Sequence, residues 1–305
     1  MSSILKPLYI AVSWVIITIH KLVSPFFGAS SGVSWALSII GLVILIRILL
    51  IPLFVKQINN QRAMTALQPH MKAIQLKHKD DRTKQSEEMM KLYKEHKTNP
   101  LASCFPMIAQ APIFFALFTV LNGIGKKPPR AHGVLTQADV VNAAHAKIFG
   151  APISSTFLGS HSGTVKLVTV VLILFMSATT FTTQRQLMYK GMPKMDSSNN
   201  MMLQQQKIML YAFPLIFAIS GVNFPIGVLI YWSTTNLWTW GQQFYVIKRN
   251  PTPGSPAFIE LQARKARKAG LTGPEVVTPE APPEVGSGEI KGQRQQPKKK
   301  PKKKK

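Results

Sequence analysis

The 305-residue chain contains one cysteine, Cys104. A lone thiol excludes an internal disulfide and any multi-cysteine metal site, and it reads as a small apolar filler. Acid is scarce as well. Only 12 Asp and Glu stand against 37 Lys and Arg, and residues 1–79 hold none of the 12. Charged residues make up 16% of the chain, against about 25% in a typical soluble domain. The histidines are His20, His70, His78, His96, His132, His145 and His161, scattered and mostly in loops. No proton-relay carboxylate, metal-ligand cluster, Gly-rich phosphate loop or nucleophile motif can be read. Hydrolysis and ion-coupled transport are therefore disfavoured, no cofactor is called for, and the chain does not read as an enzyme. No cleavable signal with a small-residue exit is evident near residue 1.

What fills the chain instead is apolar sequence, in runs of about 20 residues, the length a membrane-spanning helix needs. Five spans are predicted: 34–54, 104–124, 165–183, 207–222 and 226–244, the last two joined by a short turn at 221–225. Within the N-terminal segment 1–33, the apolar stretch 8–27 is interrupted by His20, Lys21 and Pro25. It fits a signal anchor or an amphipathic helix in the membrane interface, and the reading leans to the interface. The intervening segments are a basic stretch at 55–103, a Gly-, Pro- and Ser-bearing loop at 125–164, a polar linker at 184–206 and a tail at 245–305. The fold class is an all-α polytopic membrane protein.

Loop charge sets the orientation. The 55–103 segment carries ten Lys or Arg and the tail fifteen, whereas 122–164 carries four. The two basic segments are expected on the cytoplasmic side, and five spans satisfy that placement. Nine prolines after residue 250, low hydrophobicity and like charge predict a disordered tail apart from a short helix near 256–269.

Arg47 is the only ionised side chain between Lys21 and Lys56. It sits seven residues before Phe54, about 10 Å from the cytoplasmic end of its span. An Arg at the centre of a span costs about 2.5–3.5 kcal/mol on insertion scales. It is expected either to snorkel to the headgroups or to face a wet cavity open to the cytoplasm, where it would attract a carboxylate. On the last span Trp232, Asn236, Thr239 and Gln243 recur at helical spacing on one face. Gln110 and Gln184 add uncharged hydrogen bonders in the second and third spans. Each alone fits an interhelical hydrogen bond. Taken with Arg47, they point to a polar groove.

The 55–103 segment reads as two helices broken at 78–82. Met64, Leu67, Met71 and Ile74 supply one apolar side, and Met89, Met90, Leu92 and Tyr93 the other. Such a pair either packs on itself or offers Met64, Met71, Met89 and Met90 to a flexible apolar segment or the membrane surface. The terminal cluster Lys298, Lys299, Lys300, Lys302, Lys303, Lys304 and Lys305 suits anionic partners, either ribosomal RNA or acidic lipid headgroups. No aromatic residue follows Phe258, so base stacking is not expected there.

The chain resembles the YidC/Oxa1/Alb3 family of membrane protein insertases from about Trp35 to Lys248. The resemblance is carried by GLVILIRILLIPLFVKQ, QRAMTALQPHMKAIQLKHK, MMKLYKEHKTNP, FPMIAQAPIFFALF and FPIGVLIYWSTTNLWTWGQQ. It implies a five-helix core with a hydrophilic groove, a cytoplasmic helical hairpin at 55–100 and a groove arginine at Arg47. Tyr231 and Trp232 fall in the family's aromatic-rich final span. Residues 8–27 are similar to the family's amphipathic surface helix. The short N-terminal segment resembles actinobacterial forms, with neither a large extracytoplasmic domain nor a lipobox cysteine. The implied partners are nascent membrane proteins, the ribosome, anionic lipids and a Sec-type translocon, in a bacterial plasma membrane with the tail inside. A small-anion transporter and a ribosome-tethering membrane anchor are the alternatives, although no internal repeat of a transporter kind is visible.

Overall fold

Apolar runs without water satisfy their backbone groups internally, and the helix is the single-segment way to do so. In the computed structural model, residues 2–96, 98–99, 105–126, 128–192 and 201–268 are described. Cys104 and the lysines at 298–305 lie outside them. Residues 1–262 form one compact unit and 263–305 a second, of which the described part is the helical stretch 263–268.

Helix α1 (Ser2–Phe27) runs unbroken through His20, Lys21 and Pro25. The sequence reading took these residues to interrupt the apolar run, and the helix carries all three. Pro25 stands in the last turn, two residues before α1 ends, so the bond it cannot make and the clash of its ring fall where the helix is about to stop. Gly28 ends α1 with φ +92°, and its amide bonds back to the Ser24 carbonyl at 2.7 Å. A left-handed residue after a helix is what glycine tolerates without strain. Ser31 then caps α2 (Gly32–Leu49) by accepting from the Val33 amide. The Ala29 carbonyl between the helices accepts from Trp35 Nε1 at 3.1 Å and His20 Nε2 at 3.0 Å. These bonds tie the α1–α2 connection to the buried Trp35.

The predicted span 34–54 closes early, because α2 stops at Leu49 and α3 (Ile51–Ala66) starts anew. Pro52 accounts for the break, since proline suits the first turn of a helix and not its interior. After α3 come α4 (Gln68–Lys77) and α5 (Arg82–Glu95), separated at 78–81 as the sequence implied. They pack on each other through Leu67, Met71 and Leu92, with Ile74, Met89 and Tyr93 at the margin. Asp81 caps α5 by accepting from the Thr83 and Lys84 amides at 3.1 and 3.0 Å.

The segment 125–164, expected to be a loop, is partly regular. Its α7 (Gln137–His145) opens with a reciprocal capping box between Thr136 and Asp139. A short hairpin pairs β1 (Lys147–Ile148) with β2 (Ala151–Pro152) through Phe149 and Gly150, both at positive φ. Val140, Ala143, Ala146, Ala151 and Ile153 are buried. This segment also completes α10 (Ile226–Arg249). The Ile226 and Gly227 amides, which have no partner inside their own helix, donate to the Ser155 and Ile153 carbonyls at 3.0 and 2.8 Å.

The remaining helices are α6 (Phe105–Ile124), α8 (Gly163–Gln186), α9 (Met201–Gly221) and α11 (Pro256–Lys268). A π-helical turn at Leu187–Gly191 extends α8, so the start of the expected linker 184–206 is helical. Helix α10 touches α2, α6 and α8, while α1 packs on α2 and α6. The main core joins these elements through Ile16, Trp35, Ile39, Leu42, Leu117, Ile153, Ile226 and Tyr231. A smaller one holds α8 to α10 and α9 through Ile173, Met176 and Leu229.

Among the described residues, Leu5–Phe27, Gly32–Leu49 and Gly163–Gly191 are long and apolar enough to cross a membrane by length and composition. Ile108–Ile124 and Lys207–Gly221 are shorter apolar helices. The set differs from the five expected spans in two ways: α1 qualifies despite His20 and Lys21, and the expected span 226–244, within α10, is in neither group. Large apolar side chains remain outside the core, among them Trp14, Phe26, Leu167, Leu174, Leu215 and Ile219. Exposure on that scale marks a surface that faces something other than water.

Candidate functional site

The last turn of α2 carries Arg47 into the interior. It is 7% exposed, so it does not snorkel to the surface. Its Nη2 donates to the Thr239 hydroxyl at 3.1 Å and to the Thr235 carbonyl at 3.5 Å, both on α10. The Thr239 hydroxyl donates in turn to the Thr235 carbonyl at 2.8 Å, so its lone pairs face the guanidinium. From α3, the Phe54 ring lies with its centroid 5.1 Å from the guanidinium carbon. That is cation–π range. Arg47 Nε is buried without a hydrogen-bond partner among the described residues. No carboxylate among them pairs with Arg47; ion pairs such as Asp81–Lys84 and Glu88–Lys91 lie on α5 and its cap.

Beside this cation, α3 and α10 part to form a cleft of about 470 Å³. Ile51, Phe54, Val55 and Ile58 line one wall, and Leu237, Trp238, Gly241, Gln242, Tyr245 and Val246 the other. Trp238 Nε1 donates to Gln242 Oε1 at 3.0 Å, which satisfies the indole within the wall. Phe54 belongs to the cleft and to the Arg47 contact alike. A cation thus sits at the edge of an apolar slot.

The expected groove residues do not form one patch. Gln110 donates from Nε2 to the Tyr231 hydroxyl, joining α6 to α10. Tyr231 in turn lies within electrostatic reach of Arg47, and these three residues share one side of α10. Asn236 turns to α8, where its Nδ2 donates to Thr180 at 3.1 Å. Trp232 enters an aromatic cluster, stacked on Phe114 at 5.2 Å and edge-on to Phe217 and Phe224 at 5.4 and 4.9 Å. Gln184 and Gln243 are half-buried on α8 and α10. The stripe at 232, 236, 239 and 243 is real as a helix face, but α10 is wedged between neighbours, so its two edges meet different partners. Sequence reasoning missed Thr235 and Phe54. Phe54 stood seven residues from Arg47, a helical spacing within the predicted span, but the break at Leu50 puts the two on separate helices.

In the helical pair, Met71 is 9% exposed and accepts from the Tyr93 hydroxyl through sulfur at 3.9 Å. Burial pushes the Tyr93 phenol up from its ordinary pKa. Met89 packs at the margin of the same small core. Met64 is half-buried on α3, and Met90 is 50% exposed. Of the four methionines, Met90 presents the most surface.

The model of the 60Kd inner membrane protein family matches residues 26–253. The chain belongs to this family. It is 52% identical over 283 residues to a membrane protein insertase YidC of Streptomyces avermitilis, covering 89% of this chain and 65% of that protein. It is 36% identical over 312 residues to a membrane protein insertase YidC of Tropheryma whipplei strain TW08/27, covering 97% and 94% of the two chains. The relative in Mycobacterium tuberculosis strain H37Rv, also named membrane protein insertase YidC, is 33% identical over 264 residues, 78% of this chain and 71% of its own. These bacterial relatives and the apolar helices make the chain a bacterial membrane protein. The resemblance noted from Trp35 to Lys248 falls within the matched residues.

Proposed function

We propose that the chain is a membrane protein insertase whose working centre is Arg47 with the cleft between α3 and α10. The observation that carries this reading is a buried guanidinium with no carboxylate partner among the described residues, held on α10 at the edge of an apolar slot. A substrate's short polar or acidic segment is drawn to Arg47 because charge is weakly screened there. Its apolar helix moves along the cleft flank into lipid. Burial of apolar surface drives that transfer at about 25 cal/mol per Å². No covalent bond changes. The name shared by the three relatives supports insertion over anion transport or inert anchoring.

The finer parts of the reading rest on residue chemistry. Substrates are nascent membrane proteins, delivered by a ribosome or shared with a Sec-type translocon. The terminal lysines at 298–305 meet ribosomal RNA or anionic lipid on the cytoplasmic side, where the basic segments belong. Gln110, bonded to Tyr231 beside Arg47, borders the substrate route, while Gln184, Trp232, Asn236 and Gln243 support it from outside the cleft. Met90, with half-buried Met64, gives the hairpin its apolar contact with substrate, Met71 and Met89 packing the pair.

The test is reconstitution of the full chain in liposomes with single-span substrates that differ in tail charge. Arg47→Ala should lower insertion of the acidic-tailed substrate about tenfold, the equivalent of one charged hydrogen bond lost, and Arg47→Lys should retain more. Normal insertion by Arg47→Ala at equal protein abundance would overturn the charge mechanism.

A further inference from the structure

Arginine side chains have many rotamers, yet a guanidinium that guides a substrate must stay in one place. The structure supplies a single fixing point on α10. Thr239 accepts from Arg47 Nη2 at 3.1 Å while donating to the Thr235 carbonyl at 2.8 Å. That second bond fixes the hydroxyl rotor and aims its lone pairs at the arginine. The Thr235 carbonyl, 3.5 Å from Nη2, closes the same corner. The Phe54 ring, 5.1 Å from the guanidinium carbon, bears on it from α3. With Nη2 so held, Nε is left buried and without a partner among the described residues.

We infer that Thr239 is a positioning residue. Its hydroxyl orients the Arg47 guanidinium so that donors other than Nη2 remain for a polar group of the substrate. The inference rests on the proposed role of Arg47 in insertion, and it names a residue that acts through Arg47 rather than touching substrate. Threonine suits the position because its β-branch fixes χ1 while its hydroxyl can bond the carbonyl one turn back. A valine would keep the shape and lose both bonds.

The experiment compares Thr239→Val, Thr239→Ser, Arg47→Ala and the Thr239→Val/Arg47→Ala double variant, as full chains in lipid nanodiscs and in liposomes. The first readout is the Arg47 Nε–H resonance in ¹⁵N spectra, assigned by its loss in Arg47→Ala. Thr239→Val should shift it and speed its hydrogen exchange about tenfold, the factor set by losing one bond to a charged group. Thr239→Ser should leave it in place. An unmoved resonance in Thr239→Val would overturn the inference. The second readout is insertion of acidic-tailed and uncharged-tailed substrates. Thr239→Val should lower only the first, Thr239→Ser should restore it, and in the Arg47→Ala background Thr239→Val should add nothing. An additive double variant, or a serine variant as defective as valine, would overturn positioning through Arg47. If Arg47→Ala itself inserts normally, the insertase reading of Arg47 fails, and the resonance alone decides whether Thr239 holds it.

Discussion

Gly32 opens α2 directly beneath β1. A Cβ built on Gly32 would stand 2.2 Å from the Lys147 oxygen, 2.3 Å from its carbon and 2.8 Å from Ile148 Cγ1. Carbon and oxygen rest no closer than about 3.3 Å, so Gly32→Ala requires β1 to retreat by roughly 1 Å. Two of the three obstructing atoms are backbone, and no rotamer relieves them. Forcing an extra carbon into a filled site costs about 1–3 kcal/mol, while the helical gain of alanine over glycine is at most about 1 kcal/mol. The control is Gly163→Ala, since Gly163 also opens a helix but a Cβ there meets nothing within 4 Å. The two variants separate crowding from propensity. Unfolding in detergent, followed by far-ultraviolet dichroism, should show Gly32→Ala melting several degrees below the parent, at about 2–4 °C per kcal/mol. Gly163→Ala should melt within about 0.5 kcal/mol of it. Equal midpoints for the two variants would refute the close approach of β1 to α2.

Two further outcomes follow from local chemistry. The amide of Lys84 first, with its ammonium and the Thr83 amide, holds the Asp81 carboxyl below the usual carboxylate range. A group lowered in the folded state stabilises above its unfolded pKa and loses that contribution as pH falls through the folded value. The first turn of α5 should therefore fray between about pH 4 and lower values, read from the Cα shifts of Thr83 and Lys84, while Asp81→Asn shows no such transition. A flat wild-type profile would count against the cap. For the tail, ribosome co-sedimentation should weaken steeply as salt rises, because phosphate contacts release counterions. Deleting residues 298–305 should flatten that dependence, and salt-independent pelleting of the intact chain would contradict phosphate contact.

The break at 78–82 was legible because charge, polarity and loss of apolar period coincide there. The turn at 221–225 was legible because glycine and proline punctuate two apolar runs. Arg47 declared itself by being alone among apolar residues. The structure of 125–164 was hidden by composition, even though Thr136 and Asp139 already spelled a capping box. The continuity of α1 was hidden because Lys21 stays on an exposed face and His20 is consumed by the Ala29 carbonyl. Neither fact is local to the run. The contacts of the α10 stripe were not legible for a related reason. A period shows which residues share a face, but not how many neighbours divide it.

The bond between Ile153 and Gly227 spans more than seventy residues of chain, and its direction matters for biogenesis. The acceptors at 153 and 155 leave the ribosome long before the amides at 226 and 227 that need them. In hydrocarbon an unsatisfied amide costs several kcal/mol. A helix synthesised late therefore finds its cap already waiting on the bundle's earlier half. Were the order reversed, α10 would enter lipid with bare amides at its leading end. At this junction the order of synthesis and the order of need coincide.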